Sequence, residues 1–257
     1  MADSMEKIAD VAFSTSDLRA VEQAKSMGPW QQRCMLGEGA FTPGIWASWD
    51  IAKVLDAGFP AGFWEGKRVL DIGANCGGLS VELVRRGATV HAAEPYEPYR
   101  QKIEWLRGTL GIPEERLSIS GDALFDIRPE ETSHMDVVLF LGLAYHFRYP
   151  QLVLDYVGQF DADHFVVSTQ CIEGESDFLQ NRSDITPQYL GDQPLLGWHA
   201  TRPLFLKMLE WAGMSDPRLI EHPHVNRGGA KTTTNNAYFI ADRGKPVDHL
   251  VEMTRFI

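Results

Sequence analysis

Two carboxylates, a turn of small residues and a Tyr-His pair carry the chemistry in this sequence. Residues 68–78 read RVLDIGANCGG, so an apolar run delivers Asp71 into a turn containing Gly73, Ala74, Asn75, Cys76 and Gly77. The pattern predicts a helix directly behind it, over Leu79–Arg86. Small residues let a ligand come close to backbone N–H groups, which a helix N-terminus leaves free to bind. A second apolar run, residues 89–93, ends at Glu94, 23 residues after Asp71. At the tip of a neighbouring strand, that carboxylate can accept hydrogen bonds from a ribose diol. The pattern points to a nucleoside-bearing ligand. Tyr145 and His146 follow another apolar run, residues 135–142. An imidazole, with a reference pKa near ~6.5, suits general-base work at neutral pH, and a phenol beside it can hydrogen-bond an acceptor.

Spacing separates the possible nucleosides. A dinucleotide fold needs G-x-G-x-x-G so that backbone can touch a pyrophosphate. Gly73, Gly77 and Gly78 do not fit that spacing, and Asp71 would repel the phosphates. An acid there suits a cationic ligand carrying an amino group and a sulfonium. The segment resembles motif I of the class I S-adenosylmethionine (SAM)-dependent methyltransferases, D/E-x-G-x-G-x-G, with Asn75 in place of the middle glycine. Asn enters left-handed backbone conformations more easily than most residues, so the turn is expected to survive the exchange.

A narrower resemblance covers roughly residues 28–240. Thr42-Pro43-Gly44 ahead of the turn and Ala144-Tyr145-His146 after the fourth strand are similar to one methyltransferase subgroup. It includes the tRNA wobble-uridine carboxymethyl-transfer enzymes and relatives of unknown substrate. The resemblance implies a Rossmann-like α/β sandwich, a mostly parallel seven-stranded sheet with helices on both faces, and SAM as cofactor. It assigns Asp71, Gly73, Ala74, Asn75 and Gly77 to the methionine part and Glu94 to the ribose. Asp122 and Ala123 go to adenine, Leu141 and Trp49 to the cofactor's surroundings, and Tyr145 and His146 to the acceptor. Methyl transfer is then an in-line displacement in which orientation contributes on the order of 7–11 kcal/mol.

The elements that must position these residues are legible as alternating runs. Residues 118–124 end a third strand, 135–142 read as a strand buried on both faces, and 164–169 as a fifth. Pro203–Ala212 is expected to be a helix, with Thr201 as its N-cap and Gly213 as its stop. Arg218–His222 and Asn236–Ile240 would supply a closing pair of strands. Alternation in this order favours a parallel sheet whose ligands lie beyond the carboxyl ends of its strands. Residues 1–62 are expected to form an N-terminal helical and aromatic cover, with Ile8, Val11, Leu18 and Val21 at loosely helical spacing. Residues 63–257 would form the SAM-binding domain, the whole being one structural unit.

Composition narrows the partners. With 24 basic against 35 acidic residues, the net charge of −11 disfavours nucleic acid, whose binders gather Lys and Arg to neutralise phosphates. The doublet Arg85-Arg86 reads as the solvated last turn of a helix. A small-molecule methyl acceptor is the default partner. No run approaches the ~20 apolar residues of a membrane span, and the start lacks a secretion signature, so a cytoplasmic location is expected. Cys34, Cys76 and Cys171 are widely spaced and read as reduced thiols, with no metal expected. The oligomeric state stays open, a homodimer being one arrangement the sequence permits. A nicotinamide-dependent oxidoreductase, a non-catalytic binding module and a tRNA-modifying transferase remain as alternatives.

Other residues have two readings. His222 and His224 could share one strand face as metal ligands or lie on the surface. Trp30, Phe41, Trp46 and Trp49 could wall a pocket or simply pack the cover. Arg148 could bind a substrate carboxylate or cap the sheet edge. Residues 172–200 read as a long polar connection, either a lid with Arg182, Tyr189, Trp198 and His199 as contacts or an inert excursion.

Overall fold

The computed structural model describes residues 13–15, 17, 19–181, 188–190, 193–195, 197–223 and 234–247. Two compact units emerge, residues 1–53 with 61–123 and residues 54–60 with 124–257.

The first unit contains three parallel strands, β1 (Arg68–Ile72), β2 (Thr89–Ala93) and β3 (Leu117–Ser120), with β2 in the middle. Helix α1 (Arg19–Ser26) and helix α2, which begins at Ser48, precede them. Helix α3 (Gly78–Arg85) links β1 to β2, and α4 (Glu97–Leu110) links β2 to β3. Four of the five β1 residues are buried, as a strand covered on both faces requires. Pro98 at the start of α4 and the left-handed Gly111 (φ 64°) at its end are the chain's own start and stop signals.

In the second unit β4 (Met135–Leu141) runs parallel to the long β5 (Ala162–Ile172), with α5 (Pro150–Val157) between them in sequence. Strand β6 (Leu179–Asn181) pairs antiparallel with β7 (Trp198–Thr201), and β7 runs parallel to the last two residues of β5. After α6 (Arg202–Trp211), β8 (Ser215–Leu219) pairs antiparallel with β9 (Thr234–Asp242), which is antiparallel to β5 along nine residue pairs.

The seven expected strands correspond to β1–β5, β8 and β9. The added pair, β6 and β7, comes from the stretch read as an irregular connection, which also holds a short hairpin of Gln188–Leu190 with Gln193–Leu195. Its polar composition concealed strands because β6 is solvent-accessible, so no apolar alternation marks it. Arg182 and His224 lie outside the described residues, as do Ile8, Val11, Leu18 and the side chain of Tyr189.

Two further expectations change. Thr201 does occupy the N-cap position of α6, but its hydroxyl donates to Ser176 O (2.7 Å) and accepts from Phe178 N (3.3 Å), so it ties down the preceding loop instead of capping. Arg85 is not solvated. Its guanidinium pairs with Glu82 (2.9 Å) and donates to the carbonyls of Phe13 (2.9 Å) and Met35 (2.8 Å), pinning the N-terminal segment to α3. Five donors in a fixed fork let Arg, unlike Lys, hold several backbone oxygens at once.

One face of β5 and β9 packs under α6, where the rings of Phe205 and Phe239 lie 5.0 Å apart. Phe239 is fully buried. Replacing it with Ala removes a large buried ring and leaves a cavity, so F239A should lose about 3–5 kcal/mol in denaturant unfolding with an unchanged slope.

Candidate functional site

The turn after β1 is built from left-handed residues. Gly73 (φ 71°), Asn75 (φ 57°) and Gly77 (φ 77°) all have positive φ, so Asn75 adopts the conformation expected of the glycine it replaces. Its side chain helps, since Oδ1 accepts from Cys76 N at 2.7 Å in a local turn. Gly77 is required by space as well: a Cβ there would meet Ile103 of α4 at 2.9 Å. Gly73 and Ala74 both donate to Ala93 O, at 2.8 and 3.1 Å, which stitches the turn to the tip of β2.

Glu94 holds this assembly together. Its Oε2 accepts from Asn75 N and its Oε1 from Tyr96 N, each at 2.8 Å, while its own N–H donates to Ser120 O at the end of β3. Burial pushes the carboxyl up to about 7, and the two backbone donors work against that shift. Each oxygen retains an unused lone pair after these bonds, and two acceptors side by side match the two donors of a ribose diol. These acceptors therefore fit the ribose-bearing group the sequence implied.

Asp71 sits deeper than expected. It is 3% exposed, and its Oδ2 accepts from Ser80 Oγ at 2.6 Å, so the carboxylate latches β1 to α3 behind the turn. Burial pushes its carboxyl up to about 6, opposed by the Ser80 hydrogen bond. Asp122 lies exposed two residues beyond β3, beside the half-exposed Ala123.

The N-terminal segment touches this turn through residues that carried no sequence signal. Gln32 Oε1 accepts from Leu79 N (3.2 Å) and serves as the missing cap of α3, while Gln31 N donates to Cys76 Sγ (3.5 Å). Trp30 is buried against Trp105 (5.8 Å) and donates to Ala24 O, which makes it core. Lys102, buried in α4, places its ammonium over the rings of Trp30 (5.6 Å) and Tyr99 (5.2 Å). Trp49 packs on Phe41 at 5.4 Å with the Arg33 guanidinium over it, whereas Trp46 is half-exposed.

In the second unit β4 runs into Gly142 (φ 70°) and a short 3-10 turn, Ala144–His146. Tyr145 is 8% exposed, and its hydroxyl comes within 3.9 Å of where a Gly142 Cβ would be. Its ring lies 4.0 Å from that of His146 and 6.0 Å from that of His199, and its hydroxyl hydrogen-bonds the Gln170 side chain. Leu141, half-buried, ends β4 opposite Ser168. The turn brings Tyr145 and His146 together, as adjacency dictated. His199, named from the sequence as a possible lid contact, lies on β7, 53 residues downstream of His146, and strand pairing sets it beside Tyr145.

Sequence comparison finds no matching family and no matching characterised protein. Solved structures do match. The N-terminal domain of EvdMO1, crystallised in the presence of SAH and D-fucose, aligns with 90% of this chain and 99% of its own at TM-score 0.65 and 17% identity. The [4+2]-cyclase SpnF aligns with 92% of this chain and 98% of its own at TM-score 0.58 and 12% identity. Magnesium protoporphyrin IX methyltransferase (ChlM) from Synechocystis, with bound SAH, aligns with 77% and 83% at TM-score 0.53 and 14% identity. At these identities the likeness fixes the fold: a Rossmann-like α/β sandwich of the class I methyltransferase type.

The Asp71 latch has a pH signature. Because its folded pKa, about 6, stands above the ordinary 3.8, the acid favours folding most when protonated, and that contribution fades as pH climbs through 6. Asp71→Asn keeps an acceptor for Ser80 without the charge. The unfolding free energy of D71N relative to wild type should therefore rise by on the order of 2–3 kcal/mol between pH 4 and pH 7.5, measured by urea unfolding. Parallel pH curves would remove Asp71 from the titration.

Proposed function

We propose that this chain is a SAM-dependent methyltransferase acting on a small-molecule acceptor by in-line methyl transfer. The observation that carries this reading is the Glu94 clasp: a buried carboxylate bonded to the N–H groups of Asn75 and Tyr96, with a lone pair left on each oxygen beside a turn of left-handed residues. Support also comes from EvdMO1 and ChlM, whose crystals held SAH in the same fold. The bound cofactor supplies an electrophilic methyl on a sulfonium. Glu94 accepts the ribose hydroxyls; Gly73, Ala74, Asn75 and Gly77 present backbone to the methionine part, and Asp71 keeps that turn on α3. Asp122 and Ala123 are assigned to adenine, and Trp49 and Leu141 to apolar contacts. Tyr145 orients the acceptor by hydrogen bonding, and His146 takes the proton that the acceptor loses.

The net charge of −11 supports a small acceptor over a tRNA. Among the described residues no helix is long and apolar enough to cross a membrane. A cyclase on the same fold makes a binding-only or non-transferring outcome the specific rival, so cofactor binding and turnover need separate measurements.

Glu94 sets an expected pH dependence for binding. Ribose hydroxyls donate to the ionised carboxylate, so binding draws Glu94 below its folded pKa of about 7 and releases a proton. Calorimetry should find SAH about tenfold tighter at pH 8 than at pH 6, while Glu94→Gln binds weakly with a flat profile. Equal affinity at both pH values would take Glu94 out of the site. For His146, replacement by Ala should lower methyl transfer roughly 10²–10⁴-fold and erase the acid limb of kcat measured at saturating SAM, with SAH affinity unchanged. Full activity across pH would make it a structural residue.

A further inference from the structure

The two faces of β5 differ in polarity along their length. Side chains alternate across a strand, so His164, Val166, Ser168, Gln170 and Ile172 share one face. Their partners on β9, in register, are Asp242, Ile240, Tyr238, Asn236 and Thr234. Near the amino end of β5 this face is ordinary. Ile240 Cδ1 packs so close to Gly58 that a Cβ on the glycine would push it aside, and His164 Nδ1 bonds Asp242 at 2.8 Å. Past Val166 the face becomes polar. Tyr238 hydrogen-bonds Ser168, and Tyr145 bonds Gln170. On the opposite face, Val167, Cys171, Ala237 and Phe239 stay buried and mostly apolar.

A change of partner occurs at the same place. β4 leaves β5 at the pair Leu141 and Ser168, and β7 takes over that edge only at Ala200 and Cys171. His199, fully buried, precedes Ala200 and so falls on the same face as Gln170, with its ring 6.0 Å from Tyr145. The 3-10 turn bearing Tyr145 therefore stands at the interval between two strands, above a sheet face lined with hydroxyl, amide and imidazole groups.

Ser168 and His199 are buried on this face, Gln170 and Tyr238 are half-buried and Asn236 is exposed, so the polar set grades from the core to solvent. Buried polar groups lose stability unless they are hydrogen-bonded, and an apolar lining would pack the inner part at no such penalty. Tyr145, Ser168, Gln170, His199, Asn236 and Tyr238 are neutral or can be so at pH 7, and hydroxyl, amide and neutral imidazole can each both donate and accept. Sugar hydroxyls also do both, and such a ligand exchanges bonds with this set without leaving a charge unpaired. A carboxylate or ammonium ligand would need a counter-charge. Among the described residues, the carboxyl-end half of this face carries none: Leu141, Ser168, Gln170, Ile172, His199, Thr201, Asn236 and Tyr238 lie on it. The tilted rings of Tyr145 and His146 supply apolar surface against which the C–H face of a pyranose can pack.

We propose that this face, with Tyr145, recognises an uncharged, polyhydroxylated acceptor, a sugar ring or glycoside, through Ser168, Gln170, His199, Asn236 and Tyr238. This inference rests on the methyltransferase reading for what happens after binding, but not for binding itself. The test therefore uses the full chain and two readouts. Saturation-transfer NMR reports contact with neutral methyl hexopyranosides, hexuronic acids and hexosamines, and transfer from tritium-labelled SAM to the same panel reports turnover. Contact and label are expected with the neutral glycosides alone, and Gln170→Leu, close in volume, should raise their KM roughly tenfold while SAH affinity measured by calorimetry stays within twofold. Contact or label confined to charged members, no saccharide contact in the presence of bound SAH, or an unchanged KM in the Gln170 variant would overturn the proposal. Saccharide contact without SAH binding would uphold the face and overturn the cofactor reading instead.

Discussion

The Glu94 carboxylate is the interaction on which the first unit depends. It sits at the tip of the central strand of three, and its two oxygens bind the backbone of both flanking turns, at Asn75 and at Tyr96. A side chain placed there sets the spacing between the β1 turn and the start of α4. The turn is shaped as much by this acid as by its own glycines. Binding a ligand and shaping the loop use different lone pairs of the same group, which is why an acid serves here where an amide would serve less well. Raised to about 7 by burial, the group is held close to neutrality and is responsive to a donor that arrives.

Behind that clasp, buried polar pairs add directed links between elements that also share apolar contacts. Asp71 ties β1 to α3 through Ser80, and Arg85 ties α3 to the N-terminal segment through two carbonyls. Gln32 closes the open end of α3 from the same segment. The N-terminal cover is therefore held by hydrogen bonds aimed at backbone groups as well as by Trp30. This accounts for its weak hydrophobic pattern: directed polar contacts need one residue of the right reach, whereas apolar burial needs a repeating stripe.

Legibility followed range. The strand–turn–helix at residues 68–85 was readable because its cause is local, and Asn75 kept its left-handed role since that preference belongs to the residue itself. Alternation of apolar runs also gave β1–β5, β8 and β9 with errors of a few residues at the ends. Strands β6 and β7 escaped because an exposed edge strand shows no alternation and a short one shows no run. Arg85 was misjudged as solvated for the same reason: its partners, Phe13 and Met35, lie 50 residues or more away in sequence. The tyrosine and histidine at 145 and 146 were found by adjacency and His199 only as a possible lid contact, whereas Gln170 and Tyr238 look like unremarkable strand members until register places them together with it.

By itself, then, the sequence determined the turn, its acids and the order of strands and helices, because backbone preference, burial pattern and chain direction are properties of short segments. Tertiary structure decided how those groups are used. It turned Asp71 inward to a serine, gave Glu94 two backbone donors, and set His199 beside Tyr145. Strand register is the physical reason: a displacement of one residue would send each side chain of β5 to the opposite face, and no local preference fixes which face meets which neighbour.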